Sequence, residues 1–215
     1  MVKTKIVFAE FVGQFTPDLD NIMRFFPGVD IQVYGLENCI DLFKGCNRWG
    51  NVMNDYWKVK KLIDADGYDV AIAFDADIKI ISDKVQAIFP LVKKFGLCLP
   101  ANPRKLVKID TEIGSGSDQG LDDTLGMGYA FNMTPVAVDR NNPLAMDTLR
   151  VYCDSLRLNP VRGPLAMWRA CFETGFFPCL LPPQWCVCAE DVGIGNELIL
   201  HTGHKKVREH YGFNL

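Results

Sequence analysis

Five apolar residues in an unbroken row, Val70-Ala71-Ile72-Ala73-Phe74, stand out from an otherwise mixed chain. A run with no polar alternation predicts a strand buried on both faces, as in the parallel sheet of an α/β protein. The segment 5–9 reads as a first strand and 30–34 as a second, ended by Gly35. Between them Thr16-Pro17-Asp18 is a helix-start signal, helical spacing runs over 19–26, and Pro27-Gly28 stops it. These units fit the opening of a doubly wound β-α-β fold. Residues 48–65 form the next predicted helix, whose apolar positions Val52, Met53, Tyr56, Trp57, Val59, Leu62 and Ile63 make a stripe that covers a sheet face.

Further along, 84–95 predicts a helix that Pro90 breaks or kinks, and 97–100 a short strand. Gly114 to Gly120 is a glycine- and serine-rich loop. Residues 127–138 suggest a strand or hairpin, 144–156 and 164–174 two helices, and 198–200 a last strand that ends in His201, with Pro182-Pro183 as a hard break before it. Neither a repeat nor a linker interrupts the pattern, so a single domain over 1–215 is expected, whether or not it belongs to a longer polypeptide.

The bulk numbers narrow the setting. With 215 residues, 48% apolar and 23% charged, the composition is that of an ordinary globular protein. A net charge of −3 and scattered lysines and arginines argue against a nucleic-acid binder. No stretch approaches the ~20 apolar residues of a membrane span. The basic N-terminus is followed by Glu10 and Gln14, which does not make a secretory signal. A cytoplasmic location is expected. The eight cysteines are then expected to be reduced, several of them in apolar settings (Cys98, Cys153, Cys171). Cys179 and Cys186-Val187-Cys188 lack the C-x-x-C spacing of a zinc site and read as structural.

Candidate chemistry begins where the central run ends, at Asp75-Ala76-Asp77. Ligands of open α/β sheets bind beyond the carboxyl ends of the strands. Two carboxylates at i and i+2 on an extended segment project to one side and suit a hard divalent cation, and through it a phosphate. A solvated acidic turn would carry the same three letters; the buried strand before them and Ile78-Lys79-Ile80-Ile81 after them favour a packed site. His201 supplies an imidazole after another apolar run, and Asp77, Asp75 and His201 together suit Mn2+ better than Mg2+. His204 is the fallback ligand, and Lys205 and Lys206 are positioned to meet phosphate oxygens.

In order along the chain, Arg48, the helix bearing Lys58 and Lys61, Asp75-Ala76-Asp77, Gly128-Tyr129-Ala130-Phe131-Asn132, Leu181-Pro182-Pro183-Gln184-Trp185 and His201-x-Gly203 resemble the metal-dependent GT-A glycosyltransferases. More narrowly the chain is similar to the chlorella-virus glycosyltransferases of capsid glycan synthesis. The resemblance spans nearly the whole chain, with D-x-D its one strong short motif. It implies a GT-A-like single domain: a Rossmann-like, mostly parallel sheet flanked by helices, with a small antiparallel part near the acceptor side. It implies a UDP-sugar donor bound with Mn2+ (or Mg2+) and a glycan acceptor. Ala9, Glu10 and Phe11 would lie near the uridine, with Arg48, Lys58 and Ala76 also at the donor. Asp75 would face the ribose or sugar, Asp77 and His201 the metal, and Lys206 the diphosphate, while Asn132 would lie near the sugar. The chain departs from the family at its end: one residue fewer separates His from Gly, and Lys205-Lys206-Val207 replaces Lys-Pro-Trp.

An inverting enzyme would also need a carboxylate base, for which Asp122, Asp123, Glu190 and Asp191 are available, Asp191 being taken here; a retaining one could use the departing phosphate. The loop 114–120 could close over the donor or simply be a surface loop, and Trp185 could stack on an acceptor sugar. Two other readings fit the same D-x-D. One is a phosphatase of the haloacid-dehalogenase kind with Asp75 as nucleophile; it is disfavoured because two strands precede the motif and no threonine follows it. The other is a non-catalytic carbohydrate- or nucleotide-binding module.

Overall fold

In the computed structural model, which describes residues 2–10, 15–46, 49–105 and 129–213, the apolar run forms β3 (Val70–Asp75), buried until its last residue. β3 lies beside β1 (Thr4–Glu10) in parallel, and β1 lies beside β2 (Asp30–Gly35), also in parallel. On the other side β3 meets β7 (Val136–Asp139) antiparallel, and β7 meets β5 (Leu97–Lys105) antiparallel. β6 (Tyr129–Phe131) and β8 (Cys179–Leu181) both pair with β5, antiparallel and parallel respectively, completing a seven-stranded sheet. β1, β2, β3, β5 and β8 therefore run one way, and only β6 and β7 run the other, which makes the sheet mostly parallel. Residues 127–138 do not make a hairpin, because β6 and β7 pair with β5 and β3 instead of with each other.

Alternation along each strand sorts the core into two layers. Ala71 and Ala73 of β3 and Val7 and Ala9 of β1 face α2 (Trp49–Ile63), α4 (Pro143–Leu158) and α5 (Gly163–Thr174). Val70, Ile72 and Phe74, with Ile6 and Phe8, face α1 (Leu19–Phe25) and α3 (Ile88–Phe95). On that second face the Phe8 and Phe74 rings stack 5.7 Å apart, and Phe26 leans on Phe74 at 6.2 Å. Asp75 shares the face of Ala71 and Ala73, so the strand delivers it to α2. Pro90 neither breaks nor kinks α3: the chain enters through a 3-10 turn at Asp83–Ala87, and Pro90 falls in the first turn of α3, where its missing N–H leaves no bond unmade.

A separate two-stranded antiparallel sheet positions the C-terminal segment. β4 (Ile78–Ile80), which follows Asp77 directly, pairs with β9 (Ile199–His201), with Ile78 opposite His201. α6 (Lys205–Tyr211) closes the described chain, its Val207 packed on Val187 and Leu200. α1 is tied to β4 by Asn21, whose side chain donates to the Ile80 carbonyl at 2.9 Å and accepts from its N–H at 2.8 Å. Asp18 caps α1, accepting from Asn21 N at 3.0 Å, and pairs with Lys79 of β4 at 2.5 Å. The bond from Lys79 and the bond from Asn21 hold its carboxyl below its ordinary value of 3.8.

Asp18→Ala removes both a helix cap and that tie, and is expected to cost about 1 kcal/mol. A depressed carboxyl stabilises the fold above its unfolded value and loses that contribution as the pH falls through its folded one. The gap between wild type and variant should therefore narrow in acid, which urea midpoints at neutral pH and at about pH 3 would show.

Candidate metal centre at the end of the central strand

β1 sends the chain to β2 on one side and has β3 on the other, so the sheet reverses its winding beside the carboxyl end of β3. That is where open α/β sheets leave a crevice for ligands. The register sets Ala9 against Asp75 and Glu10 against Gly35, so the ends of β1 and β3 are adjacent. Glu10 accepts a bond from the Thr16 hydroxyl at 3.0 Å.

Asp75 is held from the side of α2. Lys58 Nζ sits 2.6 Å from its Oδ1, Asn54 Nδ2 reaches the same oxygen at 3.3 Å, and the Asp75 N–H donates to the Thr134 hydroxyl at 2.9 Å. Lys58 is only 1% exposed. Its ammonium also donates to the Met133 carbonyl at 2.8 Å and lies 3.7 Å from Asp55. Burial works against its charge, but Asp75 and Asp55 outweigh it and raise its pKa. Asp55 in turn accepts from Gly163 N at 3.1 Å, which joins this cluster to the start of α5.

Asp77 is held from the side of β9. His201 Nε2 lies 3.2 Å from its Oδ1, 3.1 Å from its Oδ2, and 3.8 Å from Asp75 Oδ2. The Thr202 N–H and hydroxyl both donate to the Asp77 carbonyl, at 2.7 and 2.9 Å. Burial opposes the charge on Asp77, yet the bond and charge of His201 keep its carboxyl below 3.8. Burial likewise opposes a protonated His201, yet Asp77, Cys188 and Asp75 raise it well above its ordinary range. A Cβ on Gly203 would overlap the Asp77 carboxylate, so glycine is what lets the chain pass this close.

The sequence thus places Asp75, Asp77 and His201 where the structure brings one donor atom from each within 4.8 Å of one another. Two carboxylates and an imidazole form a donor set fit for Mn2+ or Mg2+. Ala76 is half-buried between the two aspartates, and Lys206 stands exposed in the first turn of α6. Phe11, Arg48, the loop 114–120, Asp122 and Asp123 lie outside the described residues. Asp191, 5% exposed, sits in a turn that packs on α6; its N–H bonds the Cys188 carbonyl and its Oδ2 has no partner. Burial, then the charge at Cys188, pushes its carboxyl up to about 6. Asn132 turns its amide to the sulfurs of Cys186 and Cys188, at 3.2 and 3.3 Å. Trp185 is buried in the core instead of facing an acceptor.

Asn54 and Thr134 were not foreseen. Asn54 had a signal: it is one helical turn before Lys58 and shares its face. Thr134 had none, since only the pairing of β7 with β3 brings it to Asp75.

No family model and no curated protein matches the chain. Solved structures do. A glycosyltransferase involved in glycosylation of the major capsid of PBCV-1 superposes with a TM-score of 0.59 at 10% identity, covering 98% of this chain and 100% of the other. The galactosyltransferase LgtC, in complex with donor and acceptor sugar analogues, gives 0.55 at 11% identity over 92% of this chain and 86% of that one. The glycosyltransferase GlyE of Streptococcus pneumoniae gives 0.55 at 14% identity over 94% of this chain, which spans 55% of GlyE. These are glycosyltransferases, and the chain has their GT-A fold.

Removing the Lys58 charge takes the nearest cation from Asp75 and leaves Asp55 with Arg162 at 3.8 Å and the Gly163 N–H. Lys58→Met is expected to cost about 3 kcal/mol, or roughly 6–12 °C in Tm for a chain of this length. Adding Asp75→Asn should recover part of the loss. Calorimetry on the three proteins checks both statements.

Proposed function

We propose that this chain is a single-domain glycosyltransferase over 1–215, which moves a hexose or deoxyhexose from a UDP-sugar to a glycan acceptor. The observation that carries the proposal is the convergence of Asp75, Asp77 and His201 beyond the end of the central strand of a GT-A fold. The solved structures that share the fold, two glycosyltransferases and a galactosyltransferase, support this reading.

Asp77, Asp75 and His201 would hold Mn2+, or Mg2+ in its place, and the ion would supply positive charge against a departing diphosphate. Lys58 and Asn54 fix the Asp75 carboxylate from behind, so that its free oxygen keeps one orientation toward donor and cation. Fixing a ligand by neighbours that do not move is how a site avoids reorganising during reaction. Ala9, Glu10 and Phe11 receive the uridine beside Asp75, with Arg48 and Ala76 also at the donor and Lys206 reaching the diphosphate. Asp191 takes the proton of the acceptor hydroxyl; its raised pKa places it near the range where a carboxylate both accepts and releases a proton at physiological pH. The reaction belongs in the cytoplasm, that of the host if the protein is viral. Among the described residues no helix is long and apolar enough to cross a membrane. The phosphatase alternative, with Asp75 as nucleophile, finds no support among the solved structures that the chain resembles, which are glycosyltransferases.

UDP at 100 times its Kd should stabilise the protein by about 2.7 kcal/mol, or roughly 5–10 °C, and only when Mn2+ is present. Asp77→Ala should abolish that shift while leaving a folded protein, and unchanged UDP affinity in this variant would overturn the scheme. Gly203→Ala should act the same way by driving its methyl group into the Asp77 carboxylate. Slow hydrolysis of a UDP-sugar by the wild type would exclude a passive binding module. Hydrolysis of an aryl phosphate that Asp75→Asn removes would establish the phosphatase instead.

A further inference from the structure

His201 has a second face. Its Nε2 looks at the carboxylates, and its Nδ1 looks at two cysteine sulfurs, Cys186 Sγ at 3.9 Å and Cys188 Sγ at 3.8 Å. Both thiols come from one extended segment, in which Val187 is bonded to β9 on either side: its N–H donates to Ile199 O at 2.9 Å and its carbonyl accepts from His201 N at 3.0 Å. Residues at i and i+2 of an extended segment project to one side, so Cys-x-Cys does here what Cys-x-x-Cys does in a turn. The three donor atoms lie within 4.8 Å of one another.

Distances decide between a packing contact and a ligand set. Around a tetrahedral zinc with bonds of about 2.3 Å to sulfur and about 2.0 Å to nitrogen, sulfur and nitrogen stand about 3.5 Å apart. The observed 3.8 and 3.9 Å fall within a few tenths of that edge. They are long for hydrogen bonds. The surroundings also suit thiolates. The Asn132 amide donates to both sulfurs, as outer-shell donors do at metal-bound thiolates. On the far side of the ring Nε2 meets the Asp77 carboxylate at 3.1 Å, the carboxylate–histidine arrangement that orients an imidazole bound to zinc through its other nitrogen. His204 packs edge-on against His201 with ring centroids 4.9 Å apart.

We propose that Cys186, Cys188 and His201 Nδ1 form a second metal site, for a thiophilic divalent ion of the zinc class, leaving one tetrahedral position for a further ligand. Binding releases the two thiol protons and the proton on Nδ1 if present, and forms two metal–sulfur bonds and one metal–nitrogen bond. Nε2 then gives its hydrogen to Asp77 or, once that proton has left, faces a cation held by the carboxylates. Hard oxygen donors on one side and soft sulfur donors on the other sort two different ions across one ring. This site uses the Nδ1 face and the proposed donor site uses the Nε2 face, so each is testable without the other.

The full-length protein, purified without chelator, should carry about one equivalent of zinc that survives dialysis against Mn2+. A thiol-specific reagent should release it from the native wild type. Replacement by Co2+ should produce a sulfur-to-cobalt charge-transfer band. Cys186→Ser and Cys188→Ser should each lose that band, Asp77→Ala should keep it at saturating Co2+, and Asp77→Ala and Asn132→Ala should each weaken Co2+ binding by roughly 10–100-fold. A reduced, folded wild type that binds no zinc and shows no such band overturns the site, as does a band that persists in both serine variants. If the serine variants fail to fold, zinc release from the wild type decides alone: no release on thiol modification overturns the proposal.

Discussion

A lysine ammonium almost wholly out of water is the constraint around which the centre is organised. Lys58 finds compensation in Asp75, in the Met133 carbonyl and in Asp55. Such a charge is tolerated only where its partners are placed to within hydrogen-bond distance. That requirement reaches through the fold. It fixes α2 against the end of β3, sets the segment before β7 so that Met133 and Thr134 present their oxygens, and joins α2 to the start of α5 through Asp55 and Gly163. The alanines at 71 and 73 are what allow a helix to lie close enough to β3 for this.

Asp75 is consequently a rigid group, and Asp77 is held by a different part of the chain. Its carbonyl is bonded twice by Thr202 and its carboxylate meets His201. One aspartate thus belongs to the sheet and α2, the other to β4 and β9. The centre lies where these two parts meet. A ligand that takes oxygens from both would tighten the C-terminal segment against the body of the sheet, which links occupancy to the packing of β9 and α6.

The two faces of His201 extend that linkage to the thiols behind it. The ring stands between a carboxylate and two sulfurs, and a change in charge on either side alters which nitrogen holds hydrogen. Asp77, Cys188 and Asp75 together outweigh burial and favour a protonated ring. A cation at one face displaces only the hydrogen on the nitrogen it binds, and the charge it brings is felt at the other nitrogen of the same ring.

Much of the architecture follows from local pattern. An apolar run of five predicts β3 because only a strand covered on both faces can bury every residue, and the helical stripe at 48–65 predicts α2, which forms at Trp49–Ile63. The aspartates at the end of that run are placed by the same logic, since strand ends in such sheets open on a crevice. Other features depend on partners distant in the chain. β4 and β8 are three residues each and have no period of their own to read; they are strands because β9 and β5 bond to them. Cys186 and Cys188 look unremarkable as letters because their spacing matches no turn motif, and their meaning depends on His201 arriving beside them from β9. The sequence by itself determined which segments must be buried and where carboxylates would emerge, because both follow from short-range periodicity. Only the tertiary structure decided which groups face those carboxylates, because Lys58, Thr134 and His201 reach them through pairings between segments that local pattern does not encode.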